Sequence, residues 1–102
     1  VHLDLSRNKL GGCIPSKIGN PICLESLCLG CNELEGQIPR ELGKLSKLRD
    51  FMLDGNRLSG IIPAELEGLE ELEQVLLGGN EFESVPSLFN VLPNLKKWNI
   101  SK

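Results

Sequence analysis

The chain has 102 residues, a formal net charge of −3 and only 4% aromatic residues. This length fits one modest domain or part of a larger protein. The acidic balance argues against a nucleic-acid partner, which would need a basic face. No apolar run approaches the ~18 residues of a membrane span, and the polar His2 and Asp4 follow Val1 almost directly. We therefore expect neither a signal peptide nor a membrane span within this segment.

Four asparagines mark a 24-residue period. They are Asn8, Asn32, Asn56 and Asn80. Leucines and other apolar residues recur at the same spacing, and such repetition predicts stacked units that bury their apolar faces against each other. We therefore predict one repeat array without caps. Its repeats cover about residues 1–23 (partial), 24–47, 48–71, 72–94 and 95–102 (partial).

Each repeat is predicted to begin with a short strand. Phe51 and Leu53 occupy alternate positions after Leu48, which is typical of a strand with one buried face. The pattern recurs in the same chain direction, so successive strands are expected to be parallel neighbours about 4.8 Å apart. Their outward side chains then form columns on one face.

The asparagine follows each strand, where the chain turns inward. Its amide offers two donors and an acceptor. We expect it to bond backbone groups of its own turn and of the next one, where no regular ladder supplies partners. The alternative is a set of ordinary surface asparagines in turns.

The return path is predicted to start as extended chain. Gly60 allows a φ that a side chain resists, and Pro63 fixes its own φ and keeps Ile62 extended. The following stretch, AELEGLEEL, has leucines at helical spacing, but its glycine and its short length favour a 3₁₀ segment. The fourth repeat is one residue shorter, and its SLFNVLPNL stretch lacks that glycine and leaves room for a better-formed helix.

The string Leu-x-Gly-x-Ile-Pro occurs three times in register, as LGGCIP (10–15), LEGQIP (34–39) and LSGIIP (58–63). With the 24-residue period, it resembles the plant-type subclass of leucine-rich repeats over essentially the whole chain. In the fourth repeat, EFESVPSLF lacks the glycine and departs from this subclass.

The resemblance implies an α/β repeat fold. This is a right-handed solenoid with a parallel β-sheet on its concave face and short 3₁₀, helical or extended segments on its convex face. It also implies a non-catalytic module that recognises proteins or peptides. Family members are typically ectodomains of plant receptor-like kinases and receptor-like proteins, or secreted inhibitors of cell-wall polygalacturonases.

The cysteines lie inside the repeats rather than in flanking caps. They are Cys13, Cys23, Cys28 and Cys31. Free thiols are expected, and one disulfide between Cys28 and Cys31 or another near pair is left open. The spacing Cys23-x4-Cys28-x2-Cys31 matches part of an iron–sulfur ligand set, but no fourth cysteine follows. We expect no metal site and no cofactor.

His2, Asp4 and Ser6 occupy alternate positions of the first predicted strand. They have no second orienting element and no oxyanion device, so no catalytic residue is expected. The chain is not predicted to be an enzyme, although a kinase domain elsewhere in a full-length protein is compatible with this pattern.

Outward positions of the concave strands are the candidate ligand-binding residues. They are Asp4, Ser26, Cys28, Asp50, Met52, Asp54, Gln74, Leu76, Lys97 and Asn99. The middle column of this face is apolar at its centre and polar at its ends, which suits a modest protein or peptide contact. The alternative is an unengaged part of a larger horseshoe.

Three interpretations of function remain open. The Leu-x-Gly-x-Ile-Pro strings favour the ligand-binding ectodomain of a cell-surface receptor. The internal cysteines favour an intracellular scaffold or adaptor, and a secreted enzyme inhibitor would use the same surface. A protein or peptide partner is expected in each case, and an extracellular or cell-surface location is favoured over a cytoplasmic one.

Overall fold

Each period contributes short strands, and the first three repeats add a 3₁₀ segment. The computed structural model describes residues 2–19, 24–84, 92 and 94–99. The strands are β1 (His2–Asp4), β2 (Gly11–Cys13), β3 (Ser26–Cys28), β4 (Glu33–Gly36), β5 (Asp50–Met52), β6 (Arg57–Ile61), β7 (Gln74–Leu76), β8 (Glu81–Ser84) and β9 (Lys97–Asn99). The 3₁₀ segments are Ser16–Gly19, Arg40–Lys44 and Ala64–Gly68.

The strands form two parallel sheets. The odd-numbered strands make a five-stranded sheet in the order β1-β3-β5-β7-β9, and the even-numbered strands make a four-stranded sheet in the order β2-β4-β6-β8. We call the outward side of the first sheet the concave face, and the other sheet the second sheet. The parallel strands and the 3₁₀ segments confirm the predicted repeat solenoid.

The second sheet was not predicted from the sequence. The sequence predicts extended chain on the return path, without pairing between strands. Equal periods bring the same extended segment of successive repeats side by side, so their backbone groups can pair as a parallel ladder. The pairing of β6 with β8 shifts between Gly60 and Ile61. This irregularity falls where the repeat over 72–94 is one residue shorter than the repeat before it.

The core is a lattice of apolar side chains repeated in each turn. Leu27, Phe51 and Val75, at the centres of three strands of the first sheet, are all 0% exposed. The same burial recurs at the other equivalent positions. These include Leu29, Leu53 and Leu77, then Leu34, Leu58 and Phe82, and then Ile14, Ile38 and Ile62. Each fully buried large apolar side chain contributes roughly 1.5–3 kcal/mol, so the solenoid is held by many similar contributions.

Glycine and proline shape the return path as the sequence predicts. Gly60 has a φ of +77°, and a Cβ atom there would lie 2.6 Å from Cγ of Gln37. Pro63 has a φ of −63° and a ψ of 138°, and it stands directly before the 3₁₀ segment Ala64–Gly68. A left-handed residue followed by an extended proline thus redirects the chain from the second sheet into its helical turn.

The asparagines close the corner after each strand. Nδ2 of Asn56 donates to the carbonyl oxygens of Leu53 in its own turn and Leu29 in the preceding turn, at 3.0 Å each. Oδ1 of Asn56 accepts a hydrogen bond from the backbone N–H of Leu34 at 3.1 Å. Asn32 and Asn80 make the corresponding bonds and are similarly buried.

The neighbour that Asn32, Asn56 and Asn80 reach is the preceding turn and not the following one, which corrects the sequence-based expectation. Backbone bonds between turns continue past the strands of the first sheet, for example from the N–H of Leu29 to the Met52 carbonyl. The carbonyl of Leu29 accepts hydrogen bonds from Nδ2 of Asn32 in its own turn at 2.9 Å and from Nδ2 of Asn56 at 3.0 Å. Asn8 is exposed, and among the described residues its side chain bonds only within its own turn, to the carbonyls of Leu5 and Ser6.

Two sequence predictions concern residues outside the described part of the chain. They are the better-formed helix within SLFNVLPNL, most of which lies in 85–91, and the role of Cys23.

Candidate functional site

The concave face consists of the side chains that alternate with the buried residues of the first sheet. Ser26, Cys28, Asp50, Met52, Gln74 and Leu76 are all partly exposed, whereas the residues between them are fully buried. Asp54 is also partly exposed, and Asp4 is exposed. The fold therefore brings these predicted ligand-binding residues together on one surface.

Strand register arranges these residues in columns. Ser26, Asp50 and Gln74 are direct partners in the first column, and Lys97 follows by register in β9. The middle column is Asp4, Cys28, Met52, Leu76 and Asn99. The side chains of Lys97 and Asn99 lie outside the described part of the structure, so only their register positions are assigned.

A third column continues past the strand ends and is made largely of glycine. The N–H of Cys31 donates to the Asp54 carbonyl at 2.8 Å, and the N–H of Gly55 donates to the Gly78 carbonyl at 2.9 Å. These bonds keep Gly30, Asp54 and Gly78 aligned. A Cβ atom on Gly30 would lie 2.7 Å from Oδ1 of Asp54, so the Asp54 carboxylate lies over a floor that has no side chain.

The carboxylates of this face differ in their partners. Oδ1 of Asp4 accepts hydrogen bonds from Oγ of Ser6 at 2.7 Å and from the Ser6 N–H at 3.0 Å. The Ser6 side chain is the largest cause that lowers the pKa of Asp4 below its ordinary value. In the described part of the chain, the carboxylates of Asp50 and Asp54 have no hydrogen-bond or salt-bridge partner.

Cations at the border of the face are already paired. Nε and Nη2 of Arg49 each lie 2.9 Å from Oε2 of Glu73, and Nζ of Lys96 lies 3.6 Å from Oε1 of the same residue. Each of these three residues lies just before a strand of the first sheet. The N–H of Glu73 donates to the Arg49 carbonyl, and the N–H of Lys96 donates to the Glu73 carbonyl. Arg49 and Lys96 are thus engaged by Glu73, and in the described residues neither of them pairs with Asp50 or Asp54.

The centre of the concave face is apolar and contains a flexible methionine. Met52 lies between Cys28 and Leu76 in the register, and Nε2 of Gln74 contacts Sδ of Met52 at 3.6 Å. Methionine adapts to irregular apolar surfaces because its side chain is unbranched and polarizable.

Three cysteines of the described part are free thiols: Cys13 and Cys31, which are exposed, and Cys28, which is partly exposed. The disulfide between Cys28 and Cys31 that the sequence left open is therefore not formed in this structure. Residues 2–19 and 24–84 contain no group of three or more side chains that could hold a metal ion. No helix in the described residues is long and apolar enough to cross a membrane.

The second sheet presents an acidic surface that the sequence analysis missed. Its exposed residues include Glu33, Glu35, Glu81 and Glu83, with Arg57 between them. The alternation of ELE and EFE around the buried Leu34 and Phe82 is the signal that marks these segments as strands. Each run is only about three residues long, which makes it easy to overlook.

Comparison with known families agrees with this geometry. A family model described as leucine rich repeat matches residues 22–82, and a second one with the same description matches residues 1–21. No match is found among curated proteins.

Solved structures show the same fold at substantial sequence identity. The ectodomain of the receptor kinase SOBIR1 from Arabidopsis thaliana is 35% identical, with a TM-score of 0.90 over 98% of this chain and 54% of that one. The Arabidopsis receptor kinase HAESA, solved with the peptide hormone IDA and the co-receptor SERK1, is 35% identical, with a TM-score of 0.91 over 96% of this chain and 17% of that one.

A chain of the BIR3–SERK2 complex from Arabidopsis thaliana is 43% identical, with a TM-score of 0.71 over 84% of this chain and 45% of that one. This chain therefore spans about half the length of the SOBIR1 ectodomain and a smaller share of the other two.

Proposed function

The chain belongs to the leucine-rich repeat family, and we propose that it is a protein- or peptide-recognition module of a cell-surface receptor-like protein. The concave face is its contact surface. The observation that carries the proposal is the composition of this face. Partly exposed Met52 and Leu76 form an apolar centre, and Ser26, Asp50 and Gln74 form a polar border beside it. An apolar centre with a polar rim is the usual anatomy of a protein interface.

Binding by such a surface relies on rigid display. The parallel ladder and the buried asparagines fix the backbone beneath each outward residue. A surface that is already ordered loses little conformational freedom when a ligand binds, and this lowers the cost of association. The role of this segment is then to hold side chains at fixed spacing and to carry out no chemistry of its own.

The solved relatives support a peptide or co-receptor partner. HAESA was solved with a peptide hormone and a co-receptor, and BIR3 was solved in complex with SERK2. Each of these statements describes the relative, and the proposal carries the partner class over to this chain because the compared segments are 35% and 43% identical.

A second candidate is an intracellular scaffold whose repeats organise other proteins. The three free cysteines favour it, because extracellular proteins tend to hold their cysteines as disulfides while cytosolic thiols stay reduced. The reading frame around the segment decides between the two. A signal peptide, one membrane span and kinase motifs would support the receptor, and their absence would support the scaffold.

The contact surface can be tested by selecting binders from a random peptide library displayed on phage, with the 102-residue chain as target. Leu76→Asp places a charge in the apolar centre, and Ile61→Asp is the matched control because Ile61 is 61% exposed on the second sheet. We expect selected peptides to lose at least tenfold in affinity for Leu76→Asp and to keep their affinity for Ile61→Asp. Equal binding to both variants, or no selected peptide, would contradict the proposal.

A further inference from the structure

We infer that the concave face takes an extended peptide segment with the pattern basic–x–apolar–x–basic, aligned over β5. This inference rests on the proposed function, because it names the ligand class of the same face. It follows from three features of β5 and its neighbours: two carboxylates without partners, their spacing along the strand, and the small or neutral side chains around them.

Asp50 and Asp54 are the acidic positions of the face that the fold leaves open. Both are partly exposed, and neither carboxylate has a hydrogen-bond or salt-bridge partner in the described residues. The other carboxylates nearby are already engaged, Asp4 by Ser6 and Glu73 by Arg49 and Lys96. A carboxylate that is partly withdrawn from water and has no internal partner gains most from a cationic group supplied by a ligand.

The spacing of the two carboxylates matches the period of an extended chain. Asp50 and Met52 face outward from β5, and Asp54 is the next alternate residue after the strand end, where parallel backbone bonds continue and its side chain is again partly exposed. At about 3.3 Å per residue, the two aspartates are roughly 13 Å apart along the chain. An extended ligand has the same rise and the same alternation, so its residues i, i+2 and i+4 can face the three side chains in order.

The surroundings of each position suit this pattern. The Asp54 carboxylate lies over Gly30, and Gly78 on its other side has no side chain, which leaves room there for a lysine or arginine. Ser26 and Gln74 flank Asp50 and bring no charge. Met52 in the middle has Cys28 and Leu76 as register neighbours, which provide apolar surface for the central residue of the ligand.

The charge of the face selects against acidic ligands. In β1, β3, β5 and β7, the outward positions carry aspartates and neutral side chains, together with His2, and no lysine or arginine. Lys97 is the first lysine reached, and it stands opposite Gln74 in the register. A ligand with two basic groups is therefore attracted to the centre of the face, and one with two acidic groups is repelled.

The test is a fluorescence-anisotropy titration of the 102-residue chain with labelled eleven-residue peptides. The first set carries the core Lys-Ala-Z-Ala-Lys, in which Z is Leu, Ile, Met or Phe. The second set replaces both lysines by glutamates, and the third has the same composition as the first with the lysines adjacent. We expect the best peptide of the first set to bind at least tenfold more tightly than its counterparts, and to weaken as salt rises.

Isosteric variants locate the effect. Asp50→Asn and Asp54→Asn each keep the shape of the side chain and remove its charge, and each is expected to weaken the first set three- to tenfold. Glu33→Gln is the matched control, because it removes one exposed carboxylate from the second sheet, away from the concave face, and it is expected to leave binding unchanged. The peptide comparison on the unaltered chain stands even if a variant fails to fold.

The possible outcomes distinguish a wrong ligand class from a wrong contact surface. Equal binding of the lysine and glutamate sets, or no binding by the lysine set, overturns this inference. If random-library peptides still lose affinity for Leu76→Asp, the proposed function survives that result. If random-library peptides bind Leu76→Asp as tightly as they bind the unaltered chain, the proposed function fails as well.

Discussion

Oδ1 of Asn56 accepts a hydrogen bond from the backbone N–H of Leu34, a residue 22 positions earlier in the chain. The bond is buried and joins two successive turns of the solenoid. It shows how one polar side chain per period can hold the register of an otherwise apolar stack.

Replacing Asn56 by alanine is expected to lower the free energy of unfolding by about 1–3 kcal/mol. The change leaves the buried N–H of Leu34 without its acceptor, whereas the carbonyl of Leu29 keeps Asn32 as a donor, and an unpaired buried N–H accounts for a cost of this size. Urea melts of the 102-residue chain measure it. Asn8→Ala is the control, since Asn8 is exposed and, among the described residues, its side chain bonds only within its own turn. Equal losses for both variants would contradict the buried role of Asn56.

Gly60→Ala is expected to destabilise the fold by at least about 1–2 kcal/mol, the usual cost of placing an L side chain in a left-handed conformation. The new Cβ would also approach Gln37 to 2.6 Å. Gly68→Ala is the matched control, because Gly68 has no positive φ, and a Cβ atom added there would meet no heavy atom within 4 Å. That control should be neutral or slightly stabilising in a thermal melt, and a loss equal to that of Gly60→Ala would show that conformation is not the cause.

Leu58→Ala is expected to cost about 2–5 kcal/mol because the side chain is fully buried. Leu10 occupies the equivalent position of the first repeat but is 40% exposed. Leu10→Ala should therefore cost less than half as much in the same urea melt. A comparable loss at Leu10 would mean that this end of the array is covered in solution.

The ion pair between Arg49 and Glu73 is expected to add little to stability. The Arg49 side chain is 54% exposed and that of Glu73 is 29% exposed, and exposed pairs contribute at most about 1 kcal/mol. Arg49→Gln should shift the urea midpoint only slightly, and the difference should vanish in ~1 M salt. A loss above about 2 kcal/mol would point to a larger structural role.

The pKa of Asp4 should lie below that of an ordinary aspartate, and Ser6→Ala should raise it. Hydrogen bonds from Ser6 favour the charged carboxylate. Because the folded-state pKa is lowered, any stabilisation is present above the unfolded value of about 3.9 and is lost as pH falls through the folded value. A pH titration of the Asp4 carboxyl carbon by NMR checks both directions, and an unchanged value in Ser6→Ala would exclude the proposed cause.

The sequence predicted the solenoid because the same apolar positions recur in each repeat. Leu27, Phe51 and Val75 lie on the inward side of the first sheet, and the 3₁₀ segments follow the prolines. The second sheet was missed because its strands are short and mostly polar on the surface. That Asp50 and Asp54 have no partner in the described residues was also beyond the sequence, since ion pairs such as that of Arg49 with Glu73 join residues 24 positions apart.

The backward direction of the asparagine bonds gives the array a polarity along the chain. All the bonding partners of Asn56 lie between residues 29 and 54, so a turn leaving the ribosome finds them already synthesised. We therefore predict vectorial folding from the N-terminal side. A nascent chain ending at residue 71 should protect the Leu34 amide from hydrogen exchange, whereas a fragment starting at residue 48 lacks the partners that Asn56 needs from the earlier turn. Absence of protection in the first case would show that later repeats are required.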